Sequence, residues 1–299
     1  MDYIGAGSFT GCTALTGVTV TGSLRGVGTL AFAGCSALRM FAVSATIEEI
    51  GESAFYRCTG LADIPLQSVQ TLGIRSFAQS GIQHAELPLA AIIPQSGFND
   101  CTELQAADLS GTAQIGVSAF SGCTALETVT MPAKMDSIGE QAFADCTALT
   151  AVRVPPGVTQ IASQTFSNCT ALTSITLPDG LKLIAQEAFS GCSALDGVSL
   201  PPTLTGIGTR AFGGCARMQS VMVPDSVSTI GSYAFAGCTG ITTFELKDTV
   251  KTMGVSVFDG WTARQTIRVK NVLIKRLFGE PSGWDSNWKA GCNAQIESA

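Results

Sequence analysis

The sequence predicts a solenoid of the α/β class, about twelve coils of 23 residues with one short parallel strand in each. Three columns of residues predict it. Phe recurs at 9, 32, 55, 77, 98, 120, 143, 166, 189, 212, 235 and 258, at intervals of 23, 23, 22, 21, 22 and then six of 23. Three residues after these positions stands Cys, at 12, 35, 58, 101, 123, 146, 169, 192, 215 and 238, with Ser80 and Trp261 in the two remaining slots. Three residues further on comes an aliphatic column, Leu15, Leu38, Leu61, Ile82 and onward to Met218 and Ile241, broken at Arg264. A unit this short cannot bury its own Phe, Cys and Leu, so each must lie against its counterpart in the next coil.

Within one coil, Ile175-Thr176-Leu177 alternates with the period of a strand, and Pro178, which has no amide to donate, ends it. The Phe, Cys and Leu columns stand at i, i+3 and i+6, which suits a single 3₁₀ or α turn; this is the α part of the expectation. Gly at 5, 28, 51, 73, 116, 139, 208, 231 and 254 precedes that turn and is expected to supply a tight corner or a positive φ. After Arg268 and Val269 the pattern stops, and Leu277, Phe278, Trp284 and Trp288 are expected to cover the last coil as a cap over residues 270–299. At the other end Ile4 and Phe9 enter in mid-repeat. That predicts an N-terminally truncated chain whose open first coil promotes self-association.

The chemistry of the columns excludes several functions. Sulfurs on adjacent coils would carry parallel Cβ vectors about 4.8 Å apart, whereas a disulfide needs roughly 3.8 Å and converging vectors. The column is therefore read as buried small hydrophobes, with Cys292 off it. No Cys-x-x-Cys occurs and His84 is the only His, so no zinc site of the usual spacing, and no other metal or cofactor site, is expected. Any Ser-His-Asp or Cys-His arrangement would have to use His84, and no phosphate-binding glycine motif opens a helix, so no catalytic residues are assigned. With 45% hydrophobic residues the chain folds, yet no apolar run reaches the roughly 18 residues needed to insert in a membrane. Net charge is −6, and residues 1–263 hold 11 basic against 20 acidic residues, which excludes nucleic acid as a partner of the body.

The outward strand positions are small or polar in most coils, a face suited to a protein or glycan ligand over many weak contacts. His84 is expected to point outward beside Asp63, Glu86 and Asp108, a small acidic cluster. Coils between residues 58 and 120 depart most from regularity, with shorter spacings, Pro65 in a strand, Ser80 for Cys and Pro94 for Gly. The candidate binding residues are thus Asp63, His84, Glu86 and Asp108, with Thr128, Thr130 and Arg153 on the following coils.

The run Leu-x-x-Ile-x-Leu-Pro-x-x-Val-x-x-Ile-Gly-x-x-Ala-Phe-x-x-Cys is met, for example, from Met218 through Val223-Pro224, Val227, Ile230-Gly231 and Ala234-Phe235 to Cys238. It resembles the BspA-like leucine-rich repeats of surface proteins from host-associated bacteria and some protozoa. The resemblance implies a right-handed leucine-rich-repeat solenoid over residues 1–269. It further implies a non-enzymatic binding or adhesion module, extracellular or at the cell surface, that recognises host matrix or other cells. A passive spacer and a glycan-binding module of a larger surface protein are the alternatives.

Overall fold

The computed structural model describes residues 2–44, 46–269 and 284–298. The chain divides into two compact units, Met1–Leu149 and Thr150–Ala299, and each is a parallel-strand β-solenoid. Turns around Phe9, Phe32, Phe55, Phe77, Phe98, Phe120 and Phe143 build the first unit, and turns around Phe166, Phe189, Phe212, Phe235 and Phe258 the second. The Phe rings stack on one another along each unit. Centroids are 5.1–5.4 Å apart from Phe9 to Phe143 and 5.4–6.2 Å apart from Phe166 to Phe258. Phe41 and Phe244, outside the column, set their edges against neighbouring spine rings at 4.9–5.3 Å, the favoured arrangement of ring quadrupoles.

Most coils carry two strands rather than the expected one. The first follows the aliphatic column, as in Ala151–Arg153 paired with Ser174–Thr176, where Val152 and Ile175 point inward. The second precedes the Gly column. Gln160–Ile161, Leu183–Ile184, Gly206–Ile207, Thr229–Ile230 and Thr252–Met253 form one parallel sheet in chain order. Two residues are too few for alternation to show in a sequence. Among residues 61–70 no strand forms, because Pro65 cannot donate to a ladder; the outward strand pair expected at Asp63 and Pro65 is an irregular segment.

No helix occurs among the described residues, so the α/β expectation is corrected to an all-β solenoid. The Phe-Cys-Leu spacing does make consecutive turns, with Cys35 N donating to Phe32 O and Leu38 N to Cys35 O. A left-handed residue stands two before and two after the Phe, as at Leu30 (φ 58°) and Gly34 (φ 77°), and blocks propagation into a helix. The first of these positions is filled by ordinary residues such as Ser53, Arg75 and Glu187. Each costs about 1–2 kcal/mol in the left-handed region. Their amides bond the next coil, Leu30 N to Glu52 O and Ser53 N to Ile74 O at 2.9 Å, and that ladder holds the conformation.

The Gly column has a different task from the one expected. None of its members has positive φ. A Cβ at Gly73 would lie 2.2 Å from Glu52 N, and one at Gly231 would lie 2.4 Å from Thr209 N. These glycines let one coil's backbone press onto the preceding one.

The thiols do more than fill space. Cys58 Sγ donates to Phe32 O on the preceding coil at 3.0 Å, and Cys35, Cys101, Cys123, Cys146, Cys192, Cys215 and Cys238 repeat the bond at 3.0–3.2 Å. Trp261, in a Cys slot, makes the same bond with its indole N–H to Phe235 O at 2.9 Å. Cys292 is not off the column. Gly260 N bonds Gly291 O and Val257 N bonds Trp288 O, so residues 284–298 add another turn in which Cys292 aligns with Trp261. Lys289 occupies its Phe position, which is why the sequence pattern hides it. Trp284 bonds Val250 O and Trp288 sets its edge on Phe258 at 6.0 Å, covering the last spine ring. Leu277 and Phe278 lie outside the described residues.

Three outcomes follow. Burial raises the thiols of Cys58, Cys192 and Cys238 from 9.0 to about 12. Between these values the unfolded chain loses thiol protons that the folded one keeps, so stability is intact below pH 9 and falls toward pH 12. Each such thiol contributes up to about 1.4 kcal/mol per pH unit, and Cys192→Ala should flatten the slope in alkaline denaturation curves. Ser76 Oγ is buried without a partner among the described residues, where other coils carry Ala54 or Ala119, so Ser76→Ala should raise the unfolding free energy measured in urea by about 1 kcal/mol. Gly231→Ala should lower it by about 1–3 kcal/mol, since the Thr209 backbone must retreat.

Candidate binding face

Side chains alternate in the first-strand sheet, and the fully buried residues Ala85, Leu87 and Leu109 anchor its inward side. The register places His84 beside Ala106 and then Thr128, and Glu86 beside Asp108 and then Thr130. Gln83 N donates to Ala62 O at 2.9 Å, which aligns Asp63 with His84. The fold thus brings six of the seven candidate residues onto adjacent coils of the first unit.

Each carboxylate there has its own donor. Asp63 Oδ1 accepts from the Ile64 amide at 2.8 Å, Asp108 Oδ1 from the Ser110 amide at 3.0 Å, and Glu86 Oε2 from Gln67 Nε2 at 2.8 Å. Glu86 and Asp108 face each other across two parallel strands, an arrangement that like charges disfavour. The amide donors offset part of that repulsion. His84, Asp63, Glu86, Thr128 and Thr130 are exposed and Asp108 half-buried, so the cluster offers an open row of acceptors and hydroxyls rather than a pocket. Among the described residues no three His, Cys, Asp or Glu side chains come together to hold a metal ion. No helix there is long and apolar enough to cross a membrane.

Arg153 lies in the second unit, exposed on its strand in register with Thr176. It lines a groove of 310 Å³ with the turns after its own strand and the next, at Pro156-Gly157 and Pro178-Asp179-Gly180. The sequence reading named Arg153 but missed the turns, whose only signal was Pro followed by Gly one or two residues later. It also missed Gln67, which lies outside any strand. Two large apolar side chains break the polar outward face, Met40 at 53% and Met222 at 80% exposure.

Comparison with known proteins adds the following. The family described as BspA type leucine rich repeat region matches in six copies, over residues 1–105, 91–216 and 159–276. No curated protein sequence matches the chain. A solved leucine-rich repeat protein from Bacteroides ovatus ATCC 8483 is similar with a TM-score of 0.71 and 20% identity, over 98% of this chain and 87% of that one. A leucine rich cell surface protein from Faecalibacterium prausnitzii A2-165 gives 0.55 and 22%, over 100% and 83%. A leucine-rich repeat protein from Eubacterium ventriosum ATCC 27560 gives 0.56 and 21%, over 86% and 80%. At these identities the likeness is one of fold.

Proposed function

The chain belongs to the BspA-type leucine-rich repeat family, and from that premise we propose that it is a non-enzymatic protein-binding module of a cell-surface or secreted protein, engaging host matrix or other cells. The observation that carries this reading is the outward strand face. In each unit it repeats coil after coil in fixed register, with small, polar or charged side chains at most positions. Such a face presents many weak contacts to a large partner and encloses no small substrate. The solved cell-surface protein of F. prausnitzii with the same fold supports placement at the cell surface. The irregular coils that carry Asp63, His84, Glu86 and Asp108 are the preferred contact region, since their side chains break the uniformity of the face.

The test is binding to immobilised extracellular-matrix proteins by surface plasmon resonance, with glycan arrays beside it. The expected outcome is saturable binding to a matrix protein, weakened roughly tenfold or more when His84, Glu86 and Asp108 are all replaced by Ala. Unchanged affinity in the triple variant would remove that cluster from the interface. Binding on the glycan array alone would favour a lectin, and no binding in either assay a spacer.

A further inference from the structure

Arg153 and Asp179 line the same 310 Å³ groove of the second unit, yet they make no ion pair. Among the described residues Arg153 is without any hydrogen-bond or ionic partner, whereas Arg268, which stands four positions after the aliphatic-column slot of its own coil just as Arg153 does, pairs with Glu297 at 3.4 Å. A guanidinium left open in this way presents a planar fork matched to a carboxylate.

The turns beside it are built to leave donors over. Val158 N donates to Pro155 O and Leu181 N to Pro178 O, closing the two turns. The Thr203 hydroxyl bonds the carbonyls of Asp179 and Leu181. The amides of Gly157, Asp179 and Gly180 have no partner among the described residues. The groove is thus lined by an arginine and by three residues whose backbone amides are left over, donors of the kind from which anion-binding concavities are made. Resting on the reading of this chain as a protein-binding module, we propose that the groove captures a glutamate or aspartate side chain of an extended acidic peptide segment in the partner protein. Arg153 holds the carboxylate and the turn amides supply further donors.

The lining selects among anions. Asp179 repels a phosphate dianion more than a singly charged carboxylate. Among the described residues no aromatic ring lines the groove to stack an acidic sugar, whereas the rings of Pro156 and Pro178 give apolar walls for a peptide side-chain stem. The net charge of −6 works against unspecific polyanion binding, so capture depends on this local cation.

The experiment titrates the acetylated, amidated tetrapeptide of Glu into ¹⁵N-labelled protein and follows the amides of Gly157, Asp179 and Gly180 by TROSY spectra. The Gln tetrapeptide, inorganic phosphate and trigalacturonate serve as comparison probes. Saturable shifts at those amides are expected with the Glu peptide. R153A should weaken them roughly 10- to 100-fold, R153K should fall between, and D179N should tighten binding. The proposal is overturned if R153A binds as well as the unaltered chain, if the Gln peptide shifts the same amides equally, or if phosphate or trigalacturonate binds more tightly. Failure here with matrix-protein binding intact removes the groove alone; loss of matrix binding with the peptide still captured removes the wider reading and leaves the groove.

Discussion

Each unit is organised by the peptide group of its column phenylalanines. Phe32 shows the full set: its N–H bonds Ala54 O at 2.8 Å, and its C=O accepts the Cys35 amide and the Cys58 thiol at 3.0 Å each. One backbone position is thereby tied to its own turn and to the next coil, while its ring stacks on the rings before and after. A buried carbonyl with both lone pairs used is a stable arrangement in an apolar interior. The Cys column is better understood from this acceptor than from redox chemistry. What the slot asks for is a small or flat side chain that can donate to Phe O, and Trp261 meets that demand with an indole. Among the described residues no cysteine is joined in a disulfide.

The same close stacking sets the backbone rules of the coil. Where one coil presses on the preceding backbone, at Gly73 or Gly231, any Cβ would collide, and Gly is needed for room rather than for φ. Where the chain does turn left-handed, at Leu30, Arg75 or Tyr233, ordinary side chains stand, Leu30 and Arg75 exposed and the Tyr233 ring beneath the Arg210 guanidinium. The conformational cost at those sites is offset by amides that find carbonyls on the adjacent coil. Steric demand and dihedral demand thus fall on different residues of one turn.

Because stacking fixes the interior, variation is concentrated on the outward strand positions and in the turns that follow them. The charged row at Glu86 and Asp108 and the groove beside Arg153 both lie there. In the first, carboxylates take donors from nearby amides and present an open strip. In the second, turns after successive strands leave amides unused around a cation.

The solenoid, its period and the buried Phe, Cys and Leu columns were legible from residue identities, because stacking equivalent coils imposes the same demand at every 23rd position. The register of His84, Glu86, Asp108, Thr128 and Thr130 followed from the same period. The second strand of each coil, the absence of helix and the role of the Gly column were not legible. They depend on hydrogen bonds and clearances between coils, which leave no periodic signature in two-residue segments. Cys292 was hidden because Lys289 replaces the Phe that marks every other turn, and its alignment appears only through the amides of Val257 and Gly260. The groove at Arg153 likewise joins a strand residue to two turns through the folding of the chain, since convergence of donors is a property of space and not of spacing.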